Sequence, residues 1–291
     1  MELLNRARPG DVGLETALPV HGVPRERATD ICAALAAAVE SAGSHAAFIG
    51  VLAGRPVVGL TQAELRSLLD APVVAKTNTA NFGVLMHRAV HAATTVSTTM
   101  ELATAAGLRV VATGGLGGVH RGYADRLDIS ADLAAFTRFP VAVVTSGVKS
   151  LLDVESTREA FEALGVPIVG YRTDAFPAFY LRTSDARVDA RFDDPADLAD
   201  FVRAELARTG RGIVVANPVP HDAALDHQDW DRWLALATAS ASRASGRDIT
   251  PAILAKVHEL SGGRTLEANI ALAVNNARLA GEISHAMATR A

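Results

Sequence analysis

The chain has a single cysteine, Cys32, among its 291 residues. A lone cysteine cannot form an internal disulfide, and it cannot supply a cysteine-based metal cluster, which needs several thiolates. Aromatic residues make up only 5% of the chain, so the core must be built mainly from alanine, valine, leucine and isoleucine. This composition suits parallel strands covered by alanine-rich helices.

The sequence also lacks a strong charge of either sign and a long apolar run. Its formal net charge is −4 at pH 7. That charge gives no broad basic field for a phosphate backbone, so we do not expect a nucleic-acid polymer as a partner. There is no run of 18 uncharged apolar residues and no sustained apolar segment at the start. We therefore expect a cytoplasmic protein without a membrane span.

Short β-branched runs alternate with helical stretches from end to end, which is typical of an α/β fold. Residues 26–42 predict a helix that ends at Gly43. Capping boxes that begin at Thr61 and at Ser156 predict two further helix starts. Strands are predicted at residues 46–52, 57–60, 73–75, 108–113, 141–146, 166–171 and 212–217. Because no linker or repeat is visible, we predict one domain over residues 1–291.

Two neighbouring segments could bind ions. In residues 113–122, glycines after a predicted strand would let backbone N–H groups approach a phosphate. Further on, Asp128 and Asp132 would share a face if a helix begins there, and they could hold a divalent cation through water. The alternatives are purely structural: a glycine turn in the first segment, and in the second a helix cap formed by Ser130 or Asp128.

Two lysines follow predicted strands. Lys149 ends the run that begins at residue 141, and Lys76 follows residues 73–75. Ligands gather at the carboxyl edge of open α/β sheets, and a desolvated lysine there can attack a carbonyl to form a Schiff base. The alternative is a lysine that points to solvent. Glu15 and His21 could supply acid–base chemistry, or they could be ordinary surface groups.

Over nearly its whole length the chain resembles pseudouridine-5'-phosphate glycosidases. The resemblance rests on strings in the right order, including VATGGLGGVHRG, LDISADL, VTSGVKS and the tail TLEANIAL. It implies an enzyme with an α/β/α sandwich, a central and mostly parallel sheet, and commonly a homotrimeric assembly. It also implies ribose 5-phosphate as a substrate or product.

The same resemblance assigns roles to individual residues. Lys149 matches the catalytic lysine, and Glu15 matches the proton donor. Asp128 matches the residue that holds a divalent ion largely through waters, with Mn²⁺ expected and Mg²⁺ or Ca²⁺ as alternatives. The positions implied to bind substrate are Lys76, Val96, Thr113, His120, Ser130, Ala131, Asp132 and Asn276.

The chemistry of a C-glycoside agrees with these roles. Such a bond has no leaving heteroatom to protonate, so an electron sink is needed at the sugar carbon. Glu15 would protonate the ring oxygen while Lys149 attacks C1', which opens the ring to an imine. A phosphate on the glycine loop and Lys76 would position C1' against the amine.

Three family strings are altered in the first third of the chain. They read PRERA (24–28), AAFI (46–49) and TANF (79–82), where the family usually has Pro-Tyr-Pro-x-Asn, Pro-Ala-Thr-Ile and Arg-Arg-Asp-Leu. Phe48 and Phe82 would favour a larger aromatic partner if they line the site, although isolated phenylalanines more often pack in a core.

These departures favour one branch of the family. We predict a C-glycosynthase of the alnumycin type, from aromatic polyketide antibiotic pathways, that joins ribose 5-phosphate to an aromatic acceptor. The alternative is cleavage of pseudouridine 5'-phosphate to uracil and ribose 5-phosphate. A non-catalytic sugar-phosphate binding protein would keep the glycine loop but need neither Lys149 nor Glu15, and a class I aldolase would not account for the other strings.

Overall fold

The computed structural model describes residues 2–123, 127–240 and 249–289. In these residues an 11-stranded sheet, mostly parallel, lies between two groups of helices. The α/β/α sandwich that the resemblance implied is therefore confirmed. No helix in the described ranges is both long enough and apolar enough to cross a membrane.

The strands and helices follow one another along the whole chain. The strands are β1 (Leu4–Asn5), β2 (Val12–Glu15), β3 (Ala46–Leu52), β4 (Arg55–Val58), β5 (Ala75–Thr77), β6 (Ala92–Thr94), β7 (Val110–Ala112), β8 (Val119–His120), β9 (Ala142–Thr145), β10 (Leu152–Asp153), β11 (Ile168–Tyr171), β12 (Ala190–Phe192) and β13 (Ile213–Ala216). The helices are α1 (Ala17–His21), α2 (Arg25–Ser41), α3 (Gln62–Asp70), α4 (Phe82–His87), α5 (Val96–Ala105), α6 (Ala131–Phe136), α7 (Val154–Ala163), α8 (Pro195–Thr209), α9 (His227–Ser240), α10 (Ile249–Leu260) and α11 (Arg264–Thr289).

The main path of the sheet runs β1-β4-β3-β2-β7-β9-β13-β11-β12, and β8 pairs with β10 apart from it. From β3 to β12 every neighbouring pair on this path is parallel. Parallel strands buried on both faces are continuous apolar runs, and successive side chains enter opposite cores. In β9, for example, Val143 packs in one core and Val144 in the other, and both are fully buried.

Most predicted elements are present, with two instructive differences. The capping box at Thr61 and Glu64 is confirmed. The one predicted at Ser156 is wrong, because α7 begins earlier and the carboxylate of Asp153 accepts the Ser156 N–H at 2.9 Å. Strand β2 was not predicted, since four residues that include Gly13 give little periodic signal. Yet a Cβ at Gly13 would lie 2.7 Å from the Val111 side chain, so the close fit of β2 against its neighbours needs the glycine.

The register of the sheet brings Lys76 level with the end of β2. Glu15 pairs with Ile49 of β3, and the next residue of β3, Gly50, pairs with Ala93 of β6. Ala93 in turn pairs with Lys76 of β5. Because β6 runs antiparallel to β3, the second lysine approaches this edge of the sheet from the opposite direction.

Candidate functional site

A cavity of about 930 Å³ opens where β2, β7 and β9 end. Its size lies within the range of small-molecule sites, roughly 300–1,000 Å³. Of the eleven residues to which the resemblance assigned roles, eight line it: Glu15, Lys76, His120, Asp128, Ser130, Ala131, Asp132 and Lys149. The other three, Val96, Thr113 and Asn276, lie behind its wall. His21, singled out for acid–base chemistry, lines the cavity as well.

Glu15 is the last residue of β2 and sits at the base of the cavity. Burial raises the pKa of its carboxyl group, while the positive charge of Lys149 and a hydrogen bond from Thr113 act in the opposite direction. The Thr113 hydroxyl donates to Oε1 of Glu15 at 2.7 Å. A carboxyl group with a raised pKa retains its proton at higher pH, so Glu15 is suited to donate one.

Lys149 and Lys76 both open onto the cavity near Glu15. The pKa of Lys76 is lowered, first by burial and then by the positive charge of Lys149. The loop that carries Lys149 is held by its N–H, which donates to Leu116 O at 3.1 Å. Gly147, at φ +79°, approaches Pro177 so closely that a Cβ would lie 1.7 Å from the carbonyl oxygen. The two amines and one carboxyl group therefore interact electrostatically in one site.

Asp132 connects the glycine loop to α5. Its side chain is buried, and its two carboxylate oxygens accept the N–H groups of Ser97 at 3.0 Å and Gly117 at 2.8 Å. Helix α6 begins after Ser130, whose hydroxyl accepts the Asp132 N–H at 3.2 Å. The helix cap by Ser130 is therefore confirmed. Asp128 lies before the helix, so the helical face that it was expected to share with Asp132 does not form.

The glycine loop is shaped largely by packing. The N–H groups of Thr113 and Leu116 donate to backbone carbonyl groups, and that of Gly117 donates to Asp132. A Cβ at Gly115 would lie 2.4 Å from the Phe179 ring. These N–H groups are therefore not free to bind a phosphate, and the alternative of a structural glycine turn accounts for much of the loop. Thr95, which precedes α5, and Ser130 and Ala131, at the start of α6, line the cavity together with Lys76 and offer an alternative anion site.

Asn276 and Val96 act from behind the cavity wall. The Asn276 side chain is fully buried, donates to Thr113 O at 2.8 Å, and accepts from the Asn217 amide at 3.0 Å. It therefore supports the start of the glycine loop. The Val96 side chain is buried in the core at the first position of α5, so only its backbone could contact a substrate.

Asp128 is the residue on the cavity wall that could hold a divalent ion. Its side chain is 55% exposed, and Oδ2 lies 3.9 Å from Nδ1 of His120. In the described ranges, no group of three or more His, Cys, Asp or Glu side chains could enclose a metal. One carboxylate facing a water-filled cavity fits a hard ion that keeps most of its water ligands, such as Mg²⁺ or Mn²⁺. It does not fit zinc, which takes three or four protein ligands.

Three packed aromatic rings, which we call the aromatic wall, line another part of the cavity: Phe179, Tyr180 and Trp230. The ring centroids of Phe179 and Tyr180 are 4.6 Å apart, and those of Tyr180 and Trp230 are 5.5 Å apart. Phe179 has φ +62°, a left-handed conformation that costs a non-glycine residue free energy and is concentrated at functional sites.

Of the two alternatives for Phe48 and Phe82, lining the site or packing in the core, the structure shows packing in the core. Phe48 is 6% exposed and Phe82 is 3% exposed, and each belongs to one of the two cores. Phe48 lies in β3 between two neighbouring strands, so its side chain packs against helices on one face of the sheet. The altered sequence strings therefore do not build an aromatic surface for a substrate through these two residues.

Residues of α10 and α11 that the sequence reasoning missed complete the cavity. His258 lines it from α10, and Asn269 lines it from α11. The Asn269 Oδ1 atom is buried and has no hydrogen-bond partner among the described residues. The only sequence signal for Asn269 was its place in the tail string of the resemblance, because α11 reaches the site from more than 100 residues away along the chain.

Comparisons with known proteins agree with this architecture. The family model described as indigoidine synthase A like protein matches residues 3–286. A pseudouridine-5'-phosphate glycosidase from Methylobacterium nodulans is 43% identical over 279 residues, which cover 95% of this chain and 83% of that protein.

Two solved structures share the fold. An indigoidine synthase A-like protein from Thermotoga maritima has a TM-score of 0.88 at 36% identity, covering 97% of this chain and 95% of its own. The prealnumycin C-glycosynthase AlnA, solved in complex with ribulose 5-phosphate, has a TM-score of 0.91 at 32% identity, covering 99% and 97%. The chain therefore belongs to the pseudouridine-5'-phosphate glycosidase family and is an enzyme of the kind that cleaves or forms C-glycosidic bonds.

Proposed function

We propose that this enzyme cleaves pseudouridine 5'-phosphate to uracil and ribose 5-phosphate through an imine on Lys149. The observation that carries the proposal is the placement of Lys149 and Lys76 beside Glu15 in one cavity, with the pKa of Glu15 raised by burial. A carboxyl group that keeps its proton and a lysine within its electrostatic reach are the acid and the nucleophile that a C-glycoside requires. Relatives at about 40% identity named for this reaction support the choice of substrate.

The proposed reaction uses two groups of the chain, Glu15 and Lys149, and one water. Glu15 donates its proton to the ring oxygen as the C1'–O bond breaks, and the Lys149 nitrogen bonds to C1' and loses a proton. The C1'–C bond to the aglycone then breaks, and its electron pair goes to the aglycone carbon, which takes up a proton. Water hydrolyses the resulting imine, releases ribose 5-phosphate and returns a proton to Glu15.

The phosphate would lie beside Lys76, at the N-termini of α5 and α6. Helix N-termini and an ammonium group both favour an anion. Here Ser130, Ala131 and Lys76 face the cavity, and the backbone N–H of Val96 lies at the first turn of α5. Binding energy from this remote group would hold C1' against the amine of Lys149.

Asp128 would hold a divalent ion, with Mn²⁺ first and Mg²⁺ or Ca²⁺ as alternatives, largely through waters. The ion would neutralise negative charge near the sugar phosphate. His120, 3.9 Å from Asp128, would keep the carboxylate facing the cavity. Dialysis against a chelator, followed by addition of each ion in turn, tests both the requirement for a metal and the choice among the three.

A second candidate is the reverse reaction on a larger aromatic acceptor, that is, a C-glycosynthase. The aromatic wall and the cavity of about 930 Å³ favour it, because they offer more apolar surface than uracil needs. The similarity to the prealnumycin C-glycosynthase AlnA points the same way. We place this candidate second because Phe48 and Phe82, which first suggested it, lie in the cores.

One experiment separates the two candidates. Purified protein with Mn²⁺ is given pseudouridine 5'-phosphate, and release of uracil is followed by chromatography. The same protein is then given ribose 5-phosphate with uracil or with 1,3-dihydroxynaphthalene, a phenolic arene with a nucleophilic ring carbon. Rapid uracil release supports the glycosidase. If no uracil is released but an adduct forms with the arene, the synthase replaces it.

A homotrimer stays a proposal, supported by the family resemblance. Val73 is 78% exposed and Leu127 is 73% exposed, so each leaves apolar surface that contact with another subunit could cover. Sedimentation equilibrium tests this assembly, because a trimer would have three times the mass of one chain.

A further inference from the structure

His258 lies on the cavity wall but outside the group formed by Glu15, Lys76 and Lys149. It is contributed by α10, whereas the acid, the amines and the anion site come from the edge of the sheet and from the starts of α5 and α6. Once the sugar phosphate occupies that edge, the space beside α10 and α11 is left for the aglycone. The position of His258 therefore places it at the aglycone.

Hydrogen bonds fix the His258 ring from behind. Its Nδ1 atom lies 3.1 Å from Oγ1 of Thr265, which is buried in α11. The Thr265 hydroxyl lies 3.3 Å from Oγ of Ser261, and the Ser261 hydroxyl donates to the carbonyl oxygen of His258 at 2.9 Å. The three side chains thus form a closed ring of contacts that begins and ends on His258.

A count of protons sets the direction of this ring. When all three contacts are hydrogen bonds, Ser261 donates its one hydroxyl proton to the His258 carbonyl oxygen and Thr265 therefore donates to Ser261. Thr265 then has no proton left for the imidazole and accepts one from Nδ1. In the neutral ring, Nε2 therefore carries a free lone pair and is the nitrogen available to a ligand.

Asn269 on α11 also offers a hydrogen-bond acceptor beside His258. Asn269 follows Thr265 by four residues, so the two lie on one face of the helix. Its Oδ1 atom is buried and has no hydrogen-bond partner in the part of the chain that the structure describes, and the residue lines the same cavity. An unpaired buried acceptor is costly, so this wall is built to meet a ligand with hydrogen-bond donors.

We propose that Nε2 of His258 accepts a hydrogen bond from an N–H or O–H group of the aglycone and thereby selects it. The assignment rests on the proposed function, because it needs an aglycone in the cavity. An imide N–H of uracil supplies such a donor, and so does a phenolic O–H of an aromatic acceptor. His258 is then a specificity-determining residue, and formation of the sugar imine on Lys149 does not depend on it.

The test separates the two halves of the reaction. Wild type, His258→Ala, His258→Gln and the control His45→Ala are first incubated with ribose 5-phosphate and borohydride. His45 is exposed and precedes β3 at the opposite edge of the sheet. All four proteins should trap the sugar on Lys149 equally. If the wild type itself traps nothing, it is the proposed imine chemistry that fails.

The second half measures kcat and KM for pseudouridine 5'-phosphate. His258→Ala should raise KM about 3–10-fold, as expected for one lost hydrogen bond, with little change in kcat. His258→Gln should recover part of this loss through its amide oxygen, and His45→Ala should behave as wild type. If KM is unchanged in His258→Ala while trapping is normal, the inference is wrong.

Methylated acceptors identify the bond itself. In the synthetic direction, 1-methyluracil and 3-methyluracil each remove one N–H from the acceptor. One of the two should react more slowly than uracil with the wild type, and His258→Ala should largely abolish that difference. Equal methylation penalties in both proteins would overturn the inference. So would loss of trapping in His258→Ala with an unchanged circular dichroism spectrum, since His258 would then act at the sugar.

Discussion

The Thr113 hydroxyl donates a 2.7 Å hydrogen bond to the Glu15 carboxylate, the group whose pKa burial raises. The two effects oppose each other, because the bond favours the ionised form and burial favours the protonated form. Thr113 is itself positioned by Asn276, which does not line the cavity. The Asn276 side chain donates to the Thr113 carbonyl oxygen at 2.8 Å. Residues outside the cavity therefore contribute to the balance at Glu15, together with the charge of Lys149 inside it.

The substitution Thr113→Val should shift the pH profile of the enzyme. Loss of the hydroxyl removes an effect that lowers the pKa of Glu15, so the pKa rises further. The acid form then persists to higher pH, and the alkaline fall of kcat/KM moves upward. The pH dependence of kcat/KM measures this shift, and Thr113→Ser, which retains the hydroxyl, should keep the wild-type profile. A downward shift in Thr113→Val would contradict Glu15 as the acid.

Lys76→Met should weaken substrate binding and raise the stability of the folded protein. The pKa of Lys76 is lowered in the folded protein, so between this folded pKa and the ordinary lysine pKa the unfolded chain binds more protons than the folded one. The cost is therefore absent above the ordinary lysine pKa, builds up as pH falls from that value to the folded pKa, and is fully present below it. At neutral pH, Lys76→Met should raise Tm by about 1–3 °C, while KM for the phosphorylated substrate rises.

The matched control for that experiment is Lys256→Met. The chain has only three lysines, and Lys256 pairs with Glu259 on the outer part of α10 at 2.8 Å. An exposed pair of this kind contributes little to stability, so the control should change neither KM nor Tm appreciably. If Lys76→Met lowers Tm, its charge is stabilising in the folded protein and the burial argument fails.

Asp132→Asn should destabilise the protein and slow the reaction together. Both carboxylate oxygens accept backbone N–H groups, from Ser97 and Gly117. An asparagine can accept at only one of these positions, which leaves a buried N–H unpaired at a cost of about 1–3 kcal/mol. Urea denaturation measures that loss. Because the glycine loop loses its link to α5, kcat/KM should fall even where the variant is fully folded.

Lys149→Arg should abolish both activity and borohydride trapping. Arginine keeps the positive charge that opposes the raised pKa of Glu15, but its guanidinium group does not form imines. We expect kcat to fall by at least about 10³-fold, as is typical when a nucleophile is removed. Residual trapping at Lys76, detected by peptide mass spectrometry, would move the proposed nucleophile to the other amine.

The sequence predicted the reactive edge of the sheet better than its surroundings. Strand β9 lies in an unbroken apolar run over residues 141–144 that precedes Lys149, so both the strand and the position of the amine could be expected. Strand β2, which carries Glu15, also has four residues, but one of them is a glycine and the last is charged, so only the resemblance drew attention to it. Local pattern identifies a strand when the run is long and β-branched.

What could not be predicted depends on the direction of side chains and on distant contacts. A phenylalanine in a strand can face either side of the sheet. The side chain of Phe48 enters a core because of how β3 pairs with β2 and β4, which the local sequence around Phe48 does not reveal. His258 and Trp230 reach the cavity on helices near the end of the chain. Their contribution depends on how α9, α10 and α11 pack, which no local pattern encodes.

A comparison of Trp230→Phe with Phe48→Leu tests which aromatic residues serve the aglycone. Both side chains are almost fully buried, Trp230 at 2% and Phe48 at 6% exposure, so both substitutions should cost about 1 kcal/mol or more of stability. Only Trp230 lines the cavity. Trp230→Phe should therefore raise KM for pseudouridine 5'-phosphate about 2–5-fold through weaker ring contacts, whereas Phe48→Leu should leave KM unchanged. If KM increases only in Phe48→Leu, the altered sequence of β3 contributes to aglycone binding, and that result would favour the synthase.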